Sequence, residues 1–424
     1  MKIKQLTNEK LGETVCCATH SSGLEIRVMP KKGYTSAYAV FGVKYGSIDT
    51  AVKNESGEFE TIPEGTAHFL EHKLFESEDL NAFERFAGTG ASANAYTSFE
   101  KTAYLFKGSE NIGESLEILL DFVQNPYFTQ QTVEKEQGII GQEIRMYQDL
   151  PDWQVMFNLL KALYSDHPVR IDIAGTKESI AQISADMLFS CYDTFYNLSN
   201  MALAVAGNVT LEEVIEIADR MLAESEPVTV ERAFEEEPET IVTNYVEEHL
   251  PVATPVFCFG YKESIEGEEN TLEEELAMSL IMDVAAGQMS TFYKELLDEG
   301  LVNNTFTTEF FNGHNYAVSM FSGESADPRA VARRINERFA ELKKTLITEE
   351  DFEIVRKKQY GKTVRAFSDI DTLSNGLVIS HFENEDLYAE FKVIKEMKLS
   401  FVNDMLQRSF DESKAVLSVV CQQK

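Results

Sequence analysis

Basic residues are scarce in this sequence: 38 Lys and Arg stand against 71 Asp and Glu, a formal net charge of −33 over 424 residues. Binding to a phosphate backbone needs clustered Lys and Arg, so nucleic acid is not an expected partner. Cysteine is sparse too. Cys16, Cys17, Cys191, Cys258 and Cys421 are odd in number and contain no CxxC pair, which argues against a disulfide framework or a cysteine zinc site and leaves reduced thiols. No apolar run reaches the roughly eighteen residues of a membrane span, so none is expected. The opening stretch MKIKQLTNEKLGET lacks the apolar core of a secretory signal, and a cytoplasmic location is the expectation. Gly88 and Gly90 do not complete a GxGxxG, so no dinucleotide site is indicated.

What remains is a globular composition, 43% apolar and 26% charged, on a chain too long for one ordinary core. The acidic excess reads as solubility through self-repulsion; the sharper reading is an acidic chamber that draws in basic or extended peptides. Alternation around Gly33 and Gly42 predicts strands, and spacing from Thr66 onward predicts a helix. Helices are predicted over 111–124 and 130–148, and Met201–Gly207 reads as a buried strand. Residues 225–243 hold an acidic run with two prolines and no apolar period, the best linker in the chain. The order of elements then repeats, giving an expected N-terminal zinc-binding domain over 1–224 and a C-terminal counterpart without the zinc motif over 244–424.

The chemistry is concentrated in His68-Phe69-Leu70-Glu71-His72. Imidazoles four residues apart on a helix lie one turn apart on one face and can share an ion. Glu71 points toward the same face, where a carboxylate could take a proton from a zinc-activated water. The order is HxxEH, the reverse of the commoner HExxH. A catalytic zinc takes three protein ligands and keeps one position open. The predicted helix over 130–148 offers Glu134, Glu136 and Glu143 for the third; Glu136 and Glu143, seven residues apart, share one face.

The stretches GTAHFLEHKLFE, ASANAYTSFEKTAYLF, VEKEQGIIGQEI, HPVRIDIAGTKESI and NMALAVAGNVTLEEV resemble, in order and spacing, the pitrilysin-type (M16) zinc metallopeptidases, in the small bacterial branch. The second half is similar more weakly, through AGQMSTFYKELLDEGLV. The resemblance implies an α+β fold of two homologous halves, each an antiparallel sheet with helices on one side. It implies one zinc per chain on His68, His72 and Glu143, Glu71 as general base, and Glu136 supporting the catalytic site. Glu134 has no such role. NAYTS matches a substrate-docking edge strand, which makes Asn94 and Ala95 candidate backbone contacts, and Phe75 and Tyr96 match an apolar pocket for the residue after the cut.

One departure matters. Active members carry an Arg and a Tyr, seven residues apart, that hold the peptide and stabilise the developing oxyanion; here Lys294 and Leu301 stand at those positions, with Tyr293 one place early. Lysine lacks the planar fork and leucine has no donor. Two readings stay open: a related partner chain lacking HxxEH supplies the pair, which is preferred, or a homodimer uses residues such as His314, Asn315 or Tyr316. The expected activity is hydrolysis of short or unfolded peptides in an enclosed chamber. The rival is a non-catalytic peptide-binding subunit.

Overall fold

Period-two alternation in the first hundred residues resolves into strands, as side chains that alternate between two faces require. β1 (Lys2–Asn8), β2 (Glu13–Thr19), β3 (Glu25–Pro30) and β4 (Ala37–Val43) are followed by a small hairpin, β5 (Ala51–Lys53) and β6 (Phe59–Thr61). β7 (Ser92–Thr97), β8 (Thr102–Gly108) and β9 (Met201–Gly207) complete the set. The computed structural model describes residues 2–53, 57–265 and 267–423. The chain divides into two units: Met1–Ile144 with Asp172–Ala233 and Val364–Ala389, and Arg145–Ile171 with Phe234–Thr363 and Glu390–Lys424.

Unit one is built on a seven-stranded sheet in the order β1-β2-β3-β9-β4-β8-β7, with β3 and β9 parallel and the other neighbours antiparallel. β4 and β9 are buried at every position, so both faces are covered. Phe41 and Tyr104 are register partners on one face, where Phe122 of the helix Ile112–Gln124 meets the Tyr104 ring edge-on. Gly42 opens the other face. A Cβ there would lie 2.6 Å from Cγ1 of Val378, on the helix Ile370–Phe382.

Unit two repeats the plan. Its strands, β10 (Tyr245–Leu250), β11 (Val256–Lys262), β12 (Thr307–Gly313), β13 (Tyr316–Glu324) and β14 (Ala415–Gln422), run in the order β10-β14-β11-β13-β12. The sole parallel pair among its described strands is β10 with β14, matching β3 with β9. Phe259 and Tyr261 enter the apolar core with the helices Leu272–Ala286 and Pro328–Thr345. Between them, Gly260 faces Leu159 of the helix Pro151–Leu163, with a Cβ position 3.0 Å from Leu159 Cδ2.

The two helix-covered sheets are the expected α+β halves, with two refinements: each sheet contains one parallel pair, and a helix also covers the second face. That helix is exchanged in sequence. Ile370–Phe382, late in the chain, serves unit one, and Pro151–Leu163, early in the chain, serves unit two. The stretches 1–224 and 244–424 therefore each contribute one helix to the other's sheet. The acidic stretch 225–243 contains neither helix nor strand, yet it is anchored. Glu237 accepts hydrogen bonds from the N–H groups of Ser165, Asp166 and His167 at 3.1, 2.8 and 2.7 Å and pairs with buried Lys262.

Valine at position 42 has to displace Val378 or the helix carrying it, and overpacking of this kind costs about 1–3 kcal/mol. Gly42→Val is expected to lower the denaturant midpoint of unfolding accordingly. An unchanged midpoint would show that the helix does not need to approach so closely.

Candidate metal centre

The helix Thr66–Leu74 has no side-chain cap; it starts at Gly65 in the left-handed region, φ 85°. A side chain at 65 would collide with the Ala174 carbonyl, 2.5 Å from the Cβ position, so the start of this helix is pressed against the backbone of 174–175. Phe69, Leu70 and Leu74 are buried and orient the helix, which turns His68, Glu71 and His72 together to the opposite side. The helix Gln130–Gln148 buries Val133, Ile140 and Ile144, and Glu136 and Glu143 lie two turns apart on it as the spacing predicts.

His68, His72 and Glu143 converge. Their donor atoms all lie within 4.8 Å of one another. Glu143 Oε2 is 3.8 Å from His68 Nε2 and 3.3 Å from His72 Nε2, with the imidazole centroids 4.6 Å apart. Donors about 2.0 Å from a tetrahedral zinc ion sit about 3.3 Å from each other, so this spacing and this nitrogen–oxygen set fit zinc. His72 turns Nδ1 to Glu136 Oε1 at 3.0 Å, which leaves Nε2 for a metal and fixes the ring. His68 Nδ1 is buried with no hydrogen-bond partner among the described residues. Glu134 is exposed and accepts from Gln130 Nε2, as expected of a surface residue.

Glu71 stands beside the trio, and its Oε2 accepts from Thr97 Oγ1 at 2.9 Å. Burial raises its pKa, with His72 and Thr97 opposing the shift. The two histidines diverge. Burial and the neighbouring His72 push His68 down to about 4. Burial works against protonation of His72 as well, but hydrogen bonds to Glu136 and Glu143 outweigh it and push His72 up to about 10. Fully buried Lys73 pairs with Glu76, which also binds Lys135 at 3.0 Å. That bridge ties the end of the histidine helix to the glutamate helix; it and the Thr97 contact were not anticipated from sequence.

β7 is the outermost strand of its sheet, so Asn94 and Ala95 lie on an edge strand, Asn94 exposed and Ala95 half-buried. Phe75 and Tyr96, expected to line one pocket, lie toward opposite faces of the sheet. Tyr96 follows Ala95 on the strand and points to the other face, where its hydroxyl donates to Asn375 Oδ1 at 2.7 Å. Phe75 lies on the metal-side face, 5% exposed, stacked between Phe83 and Phe122 at centroid distances of 4.2 and 4.9 Å. Nothing in the sequence pointed to Asn375, which is 279 residues from Tyr96. In unit two, Lys294 is exposed, Leu301 packs on the apolar core, and Tyr293 is buried against Phe306. His314 and Asn315 form the turn between β12 and β13, and Tyr316 is 3% exposed.

A helix-borne His-His-Glu donor set with an adjacent carboxylate, on a sheet-and-helix unit that occurs twice, defines the inverted-motif class of metal-site proteins. Residues 51–177 match the model described as Insulinase (Peptidase family M16), and residues 182–371 match the Peptidase M16 inactive domain. The chain is 39% identical over 412 residues to the uncharacterised zinc protease YmfH of Bacillus subtilis, covering 96% of each. It is 25% identical to a second uncharacterised zinc protease of that organism, YmxG, covering 92% of this chain and 95% of the relative. A crystallised protein from Alicyclobacillus acidocaldarius, described as M16-like, superposes with a TM-score of 0.92 at 35% identity, covering 100% of this chain and 99% of the other. The chain belongs to the M16 peptidase family.

Two tests follow from the geometry. Against burial, Glu136 and Glu143 push His72 up to about 10, so without metal its ring is expected to be protonated at pH 7; a metal needs the neutral ring. Zinc uptake at pH 7 is therefore expected to release about one proton, and affinity to rise with pH until His72 titrates near 10. Calorimetry in buffers of different ionisation enthalpy measures the proton count. Glu136→Ala removes the partner of His72 Nδ1 and is expected to weaken zinc binding about 10–100-fold in a competitive chelator titration.

Proposed function

We propose that the chain is a zinc-dependent endopeptidase acting on short or unfolded peptides, with one zinc held by His68, His72 and Glu143. The observation that carries this reading is the convergence of those three donors within 4.8 Å, with the Glu71 carboxylate beside them. Zinc, when bound, would polarise the scissile carbonyl and bring the pKa of a coordinated water to about 7. Glu71 takes a proton from the attacking water and returns it to the leaving amine. Burial, which raises the pKa of Glu71, suits it to both halves of that transfer. Glu136 contributes through His72, holding Nδ1 so that Nε2 is presented.

The substrate docks as an added strand on β7, taking main-chain hydrogen bonds at Asn94 and Ala95 with little dependence on sequence. Side chains of such a strand alternate between the metal-side face and the face of Tyr96. Tyr96 and Phe75 therefore belong to different subsites, and Phe75 contributes from beneath Phe83.

A second, related chain lacking HxxEH supplies the Arg–Tyr pair and, with this one, encloses the chamber. Support comes from Lys294 and Leu301: a leucine packed on an apolar core offers no donor to a substrate. A homodimer relying on Tyr316 is less favoured, since that ring is buried. No described helix is long and apolar enough to cross a membrane. The same missing pair favours one rival, a peptide-binding subunit without catalysis.

Glu71→Gln separates the two. It is expected to reduce cleavage of an unfolded peptide by about 10²–10⁴-fold while zinc stays at one per chain by elemental analysis. Unchanged cleavage with zinc retained would remove the hydrolase reading.

A further inference from the structure

Strand β7 is the outermost strand of its sheet among the described residues, and at its end Thr97 turns a hydroxyl toward Glu71. Alternation places Ala95 and Thr97 on the metal-side face and Asn94 and Tyr96 on the opposite one. The contact is long-range in sequence, 26 residues, and joins the histidine helix to the sheet edge. Oε2 of Glu71 accepts from the Thr97 hydroxyl at 2.9 Å, a contact supplied by another element than the helix that carries the glutamate. A glutamate side chain has three rotatable bonds, and a proton acceptor must be held close to its productive position to work. A β-branched residue in a strand has few χ1 options, which makes Thr97 a stiff support.

We propose that Thr97 is a positioning residue for Glu71, so that the strand accepting the peptide backbone also fixes the group that accepts the proton. Substrate register and carboxylate orientation then share one rigid element: docking on β7 places the scissile bond relative to the same strand that holds Glu71. Thr97 touches no reacting atom in this account and acts through Glu71. The inference rests on the proposed role of Glu71 as proton acceptor.

Thr97→Val keeps the branched shape and strand preference and removes only the hydroxyl, and Thr97→Ser returns it. With a fluorogenic unfolded peptide, the assay being run on the chain in whatever assembly is active, Thr97→Val is expected to lower kcat about 10–100-fold. KM should stay within about twofold because backbone docking at Asn94 and Ala95 is untouched. Thr97→Ser should recover most of kcat, and zinc content should be the same in all three proteins. Thr97→Ala serves in place of valine if Thr97→Val does not fold. In a Glu71→Gln background, Thr97→Val should cause no further loss, since the group it supports is already gone.

Wild-type kcat in Thr97→Val would overturn the inference. So would a rise in KM with kcat unchanged, which would make Thr97 a docking contact, or a failure of serine to restore the rate. If Glu71→Gln itself retained full activity, the proposed function would fail first. Loss in Glu71→Gln with none in Thr97→Val would sink only the positioning role.

Discussion

Two helices must be held so that a carboxylate on one comes within 3.8 Å of two imidazole nitrogens on the other, and most local features of unit one bear on that constraint. The histidine helix cannot rotate without exposing Phe69, Leu70 and Leu74, each worth roughly 1.5–3 kcal/mol of burial. It cannot slide, because Gly65 is seated against the backbone of 174–175. Its far end is bridged to the glutamate helix through Lys73, Glu76 and Lys135. The Lys73 ammonium is fully buried, and removing Glu76 would leave an uncompensated charge there. Apolar packing sets the helix angle, and a buried charge pair sets the separation at its end.

The repeated sheet order shows that the frame alone does not specify the His68, His72 and Glu143 cluster of unit one. Strand for strand, β3-β9-β4-β8-β7 corresponds to β10-β14-β11-β13-β12, down to the position of the parallel pair. Even the close helix approach recurs, at Phe41-Gly42-Val43 and Phe259-Gly260-Tyr261. The fold therefore makes no demand for a metal. In unit two the helix Leu272–Ala286 buries nine residues and carries no histidine. What separates the halves is a handful of side chains on a common frame, in keeping with function residing in sites grafted on folds.

Much of this was legible in the chain itself, for physical reasons that also mark the limit. His68, Glu71 and His72 are fixed relative to one another by helical period alone, and Glu136 and Glu143 by two turns of a second helix. Sequence spacing could not say that the two helices touch; the family resemblance supplied that. Glu237 lies within the acidic linker stretch 225–243, and composition does not reveal that three backbone N–H groups and a buried lysine await it. Residues 151–163 and 370–382 fall inside the expected stretches 1–224 and 244–424, yet each helix belongs to the unit built on the other stretch's sheet. Their apolar positions call for an apolar sheet face, and the choice of sheet is a tertiary fact. Thr97 lies inside the NAYTS stretch, where strand alternation by itself puts it on the face opposite Tyr96. The same alternation says nothing of Phe75, which lies at the end of the histidine helix.

Charge accounting gives the site its remaining logic. Glu136 and Glu143 flank the His72 ring, one at Nδ1 and the other at Nε2, and both favour its protonated form. Deprotonating His72 without a replacement would leave carboxylates facing neutral rings in a partly buried setting, which is unfavourable. A divalent cation supplies two charges where the proton supplied one, and it can reach His68, whose burial disfavours a charge of its own. His68 is thus suited to bind as a neutral ligand and His72 to exchange a proton for the metal. The difference arises from where the second carboxylate lies: Glu136 stands behind His72 and has no counterpart among the described residues behind His68. One turn of helix separates two identical side chains, and the neighbouring helix gives them unequal work.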